Sequence, residues 1–74
     1  EGYYSFQNEK FGVILRKLSV YYGVNITCDA EIYALQCTGG LDLKDNLQPV
    51  LLGLSQTTST TFSYDEASKT YIYK

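Results

Sequence analysis

Three features of this 74-residue sequence predict a duplicated α+β fold. Apolar residues recur with helical spacing in two stretches, and runs of period two flank each stretch. The two stretches also match each other at an offset of 36 positions. The expected order is β-α-β-β-α-β-β, a single domain over residues 1–74. A chain this short buries only roughly 60% of its unfolded surface, so its core must be thin.

The first strand is read over Tyr3 to Phe6. Asn8 then stands where it can cap a helix, because Phe11, Ile14, Leu15, Leu18 and Tyr22 make one helical stripe. Gly23 follows at the place where a helix commonly ends through a left-handed residue. Val24 to Cys28 alternates as a half-buried strand does, and a third strand is read from Gln36 to Leu43. Asp45 is placed to cap the second helix, with Pro49 near the first turn, where a missing amide costs little. Leu47, Val50, Leu51 and Leu54 form its stripe; Thr60, Phe62 and Tyr64 alternate beyond it. The turn Asp65-Glu66-Ala67-Ser68-Lys69 leads into a last strand, Thr70 to Tyr73. Phe11 pairs with Leu47, Ile14 with Val50, Leu15 with Leu51, Leu18 with Leu54 and Ile26 with Phe62, each 36 positions apart. Two copies are too few for a solenoid and point to a compact sandwich.

Composition narrows the function. Net charge is −2 with both signs interspersed, so no basic face marks a nucleic-acid partner. Histidine is absent, which removes the usual general base near neutral pH and any Cys/His zinc site, since two cysteines cannot fill four positions. The expectation is a non-enzyme without cofactor or metal. Glu9, Asp65 and Glu66 read as dispersed solvated acids. No apolar run approaches the roughly 20 residues that span a bilayer. The chain opens on Glu1 without methionine, which reads as a fragment of a longer protein.

Cys28 and Cys37 share the inward parity of their strands. If those strands paired as an antiparallel hairpin, the two would lie opposite each other at a spacing a disulfide tolerates. Two reduced cysteines serving as small core residues are the other reading. The spacing is not C-x-x-C and no basic neighbour would activate a thiol, so redox catalysis is disfavoured.

The motifs Phe6-x-Asn8-x-x-Phe11, Tyr22-Gly23-Val24-x-Ile26, Thr38-Gly39-x-Leu41, Leu47-x-x-Val50-Leu51-x-x-Leu54 and Tyr71-x-Tyr73, in this order, span nearly the whole chain. The chain resembles the C-terminal domain of FecR-type anti-sigma factors of the kind found in Bacteroidetes. That domain is similar to the signalling domain of TonB-dependent transducers and secretins, the alternative identity for this chain. Lys10 departs from the family's frequent proline before the first helix. The resemblance implies two helices sandwiched between a two-stranded and a three-stranded sheet. It further implies a periplasmic domain of a single-pass inner-membrane regulator, with its membrane span outside this fragment. The implied partners are the N-terminal signalling domain of a TonB-dependent outer-membrane transporter and, through the parent's cytoplasmic part, an extracytoplasmic-function sigma factor.

Eight tyrosines are an excess for this length. Stripe or strand parity accounts for Tyr22, Tyr71 and Tyr73, whereas Tyr3, Tyr21 and Tyr33 are candidate interface residues. Small sheets leave edges to which a partner segment can add a strand. The first strand, with Ser5, and the last, with Ile72, are the expected edges.

Overall fold

The computed structural model of the chain describes residues 2–74. In chain order the elements are β1 (Tyr3–Lys10), α1 (Phe11–Tyr22), β2 (Asn25–Cys28), α2 (Ala30–Tyr33), β3 (Gln36–Asp42), α3 (Leu47–Thr58), β4 (Phe62–Asp65) and β5 (Thr70–Tyr73). Antiparallel β1 and β3 form one sheet. The other has the order β2-β5-β4, with β5 parallel to β2 and antiparallel to β4. The two long helices lie between the sheets, as expected.

Both stripes are buried as their spacing requires. Phe11, Ile14, Leu15 and Leu18 of α1 meet Val50, Leu51 and Leu54 of α3, and Phe6, Cys37 and Tyr73 close the cluster from the two sheets. The Tyr73 and Phe11 rings pack edge to face with centroids 5.2 Å apart, and the Tyr73 hydroxyl donates to the Leu51 carbonyl at 2.7 Å. A buried tyrosine thereby keeps its polar tip satisfied.

The 36-residue offset reaches further than the apolar pairs. Gly23 ends α1 with φ 68° and its N–H on the Ser19 carbonyl; Ser59 ends α3 with φ 57° and its N–H on the Ser55 carbonyl. Val24 and Thr60 donate to the same two carbonyls. The residues before the helices, Lys10 and Asn46, share φ near −65° and extended ψ. Thus β1-α1-β2 and β3-α3-β4 are two copies of one unit, related by an approximate twofold with β5 between β2 and β4.

Four expectations change. Asn8 is not a cap: it sits at φ 51° in a bulge where Gln7 and Asn8 oppose Thr38, and its N–H donates to Thr38 Oγ1 at 3.0 Å. Asparagine tolerates the left-handed region, and the strand runs on to Lys10. Nor is Asp45 the second cap; Asn46 holds that position, and neither long helix has a side-chain cap bond. The second and third strands do not form a hairpin. Asp29 donates to the Tyr73 carbonyl, so β2 stays in the three-stranded sheet, and the chain crosses to the other sheet through α2, whose Ile32 packs on the core. Last, β5 is a central strand and not an edge. Tyr71, Ile72 and Tyr73 are all at least partly buried, which suits a strand with neighbours on both sides.

Candidate protein-interaction edges

The two-stranded sheet exposes backbone on its β1 side. Leu43 donates to the Gly2 carbonyl at 2.6 Å, which makes residues 2 and 43 a bonded pair. Bonded pairs alternate along an antiparallel ladder, so Tyr4 and Phe6 bond across to Leu41 and Gly39, and the N–H and C=O groups of Tyr3 and Ser5 point outward. From Tyr3 to Asn8 this strand carries no charge, although charge is a common protection against edge pairing. Tyr3 is 64% exposed, and its ring lies over Gly40, where a Cβ would strike the tyrosine hydroxyl.

The edges of the larger sheet differ. On β2 the Ile26 N–H donates to Ser19 Oγ at 3.2 Å, and α1 thereby closes part of that edge. On β4, Thr61 and Lys74 exchange both backbone bonds, so the groups of Phe62 and Tyr64 point outward. Ser55, the counterpart of Ser19, turns its hydroxyl to the Leu52 carbonyl at 2.8 Å. One duplicated serine closes an edge and its twin leaves one open.

The five interface residues singled out from the sequence do not form one patch. Tyr3 and Ser5 share the outer face of the two-stranded sheet. Ile72 lies in the opposite sheet and on its central strand, so the edge role expected for it is withdrawn. Tyr21 is exposed at the end of α1 and packs edge-on against Tyr22. Tyr33 belongs to α2, where its ring lies against Gly12 and its hydroxyl accepts from Arg16 Nη2 at 3.3 Å. Tyr22 and Tyr71 have structural partners: the Tyr22 hydroxyl donates to the Asp45 carbonyl at 3.0 Å, and the Tyr71 hydroxyl accepts from Gln48 Nε2 at 3.0 Å.

Both cysteines face inward, as parity requires, but from different sheets, and both are free thiols. The hairpin that would have set them opposite each other is missing because β2 and β3 never pair. Burial pushes both thiols above their ordinary range, and Asp29 adds to this at Cys28. At neutral pH they are protonated and poor nucleophiles. Glu9 pairs with Lys17 at 3.2 Å and Asp65 accepts from the Ser68 N–H, so these two acids have separate structural partners. No group of potential metal ligands is found among the described residues.

Four exposed apolar residues were not singled out from the sequence: Val20 on α1, Leu35 just before β3, Leu52 on α3 and Tyr64 on β4. The offset held a usable signal, because the counterpart of Val20 is Gln56.

The sequence matches the family described as FecR, C-terminal, over residues 3–73. Among solved structures, the chain is similar to a candidate anti-sigma factor from Parabacteroides distasonis ATCC 8503, with a TM-score of 0.82. The identity is 18%, over 99% of this chain and 34% of that one. At that identity the likeness is one of fold, and this chain spans about a third of the other's length. No curated protein matches.

Proposed function

Because this chain belongs to the FecR C-terminal family, we propose that it is the signal-receiving domain of a membrane-bound anti-sigma regulator. It lies in the periplasm and docks the N-terminal signalling domain of a TonB-dependent outer-membrane transporter. The parent protein passes the docked state on to an extracytoplasmic-function sigma factor. The domain acts by contact and performs no chemistry.

One observation carries the docking mode: the β1 edge, uncharged from Tyr3 to Asn8, where Tyr3 and Ser5 present unpaired backbone groups beside an exposed ring. An extended partner segment bonds to such groups and seats alternate side chains beside the strand. Family membership supports the signalling role. No described helix is long and apolar enough to cross a membrane, so the anchor in this reading belongs to another part of the regulator.

Calorimetric titration of this chain with the signalling domain of its transporter tests the reading. Ser5→Pro removes an N–H that points away from β3, so it should weaken binding at least tenfold while leaving the melting temperature within a few degrees. Unchanged binding by the proline variant would eliminate the β1 edge as the docking site.

A further inference from the structure

Both long helices end beside the two-stranded sheet, and the twofold lays one end over the other. Tyr22 of α1 corresponds to Thr58 of α3, 36 positions on. At the end of α1 the Tyr22 ring packs on the core, and its hydroxyl donates to the Asp45 carbonyl at 3.0 Å. The ring thus bridges the helix to the chain leaving β3. At the end of α3 the smaller Thr58 stands in its place, and a cleft of about 290 Å³ lies open between the helix and the start of β3. Leu35, Gln36, Cys37 and Thr38 line one side, Thr57 and Thr58 the other. That volume is at the small end for a ligand pocket, with room for one side chain.

The lining selects the chemistry of an occupant. It holds no charged side chain, so a carboxylate or ammonium placed there would lose its hydration without gaining a counter-charge. The hydroxyls of Thr57 and Thr58 donate to the Gly53 and Leu54 carbonyls of their own helix at 3.0 and 2.8 Å. Cys37 is buried, and Leu35, 40% exposed, adds an apolar rim. The exposed Gln36 carboxamide can meet a hydroxyl at the mouth, as donor or as acceptor.

We propose that this cleft binds a tyrosine side chain of another protein, which takes at the end of α3 the place that Tyr22 takes at the end of α1. A neutral ring with an apolar body and one polar tip matches an uncharged cleft with an amide at its rim. None of the residues from Tyr3 to Phe6 lines the cleft, so the site is separate from the β1 edge and does not rest on docking there.

The test is a nuclear magnetic resonance titration of this chain with a blocked glycine-tyrosine-glycine peptide and its phenylalanine, phosphotyrosine and alanine analogues. Amide shifts should concentrate at Cys37, Thr38 and Thr58, with a dissociation constant on the order of a few millimolar. The phenylalanine peptide should bind about threefold more weakly, for want of the bond to Gln36. The phosphotyrosine peptide should bind at least roughly tenfold more weakly, because the cleft offers no cation. Thr58→Tyr, which installs the residue of the other copy, should abolish binding. Gln36→Ala, at an exposed position, should erase the preference for tyrosine over phenylalanine, and it keeps the test decisive even if Thr58→Tyr does not fold. Equal binding by a folded Thr58→Tyr variant, equal binding of the alanine peptide, a tyrosine preference that survives Gln36→Ala, or binding of free 4-methylphenol without the peptide would each overturn the proposal. None of these results bears on transporter docking at β1.

Discussion

The two halves of this domain agree in their interior and disagree at the ends of their helices. Ile14, Leu15 and Leu18 match Val50, Leu51 and Leu54 in position and in burial. Both helices end in a left-handed residue whose N–H reaches a serine carbonyl. Yet Ser19 closes an edge and Ser55 does not, and Val20 replaces what is Gln56 in the other copy. What recurs is what the fold needs. What differs is released from that need; it includes the strand edges, the end of α1 and the exposed pair Arg16 and Leu52.

The largest expected effect tests the agreement. Leu18→Ala and Leu54→Ala each empty a fully buried position and should each cost about 3 kcal/mol in urea unfolding. Costs differing by more than about 2.5 kcal/mol, beyond the spread of such substitutions, would break the equivalence of the copies.

A glycine pair sharpens the contrast. A Cβ on Gly12 would collide with the Tyr33 ring, whereas one on Gly53 meets nothing within 4 Å. Gly12→Ala should destabilise by about 1–2 kcal/mol. Gly53→Ala should stabilise by about 0.5–1 kcal/mol through helix propensity. Both are read by thermal unfolding.

The serines come next. Ser19→Ala removes the acceptor for the Ile26 N–H and should cost about 1 kcal/mol. Ser55→Ala loses only a hydroxyl bonded to a helix carbonyl and should change stability by less than about 0.5 kcal/mol. Lys10→Pro should be the smallest change, neutral or stabilising by up to about 1 kcal/mol. Lys10 has φ −67°, and Phe11 bonds Leu35, so the ladder turns the Lys10 N–H outward.

Tyr73 belongs to neither copy and lies between them, and burial pushes its hydroxyl well above the ordinary range. The folded state holds the neutral phenol, as it holds the neutral thiols of Cys28 and Cys37. The stability they contribute is complete below the unfolded thiol value of about 8.5. It falls as pH rises, more steeply beyond the unfolded tyrosine value of about 10. Tyr73→Phe should flatten the upper part of that decline in a series of urea titrations.

The two long helices, their duplication and the inward parity of the cysteines were legible in the sequence, because each rests on local periodicity; the single turn of α2 between β2 and β3 was not expected. Gly23 was legible as a helix end for the same reason. Strand partnership was not. Whether β2 pairs with β3 or β5 is decided by which strand fills the place between β2 and β4, and that is a contact between distant segments. The same limit hid the central place of Ile72. Asn8 misled because asparagine suits both a helix cap and a left-handed bulge. At the candidate site, Tyr3 and Ser5 could be read from a tyrosine-rich, uncharged first strand. Val20 fell outside the helical stripe and required the comparison with Gln56.

Amide hydrogen exchange with and without the transporter signalling domain tests docking at the open edge most directly. Free in solution, the Tyr3 and Ser5 amides should exchange within seconds while Ile26 is slower; on addition of the partner, Tyr3 and Ser5 should become protected. Slow exchange at Ser5 in the free chain, or protection by the partner that leaves β1 untouched, would contradict the account.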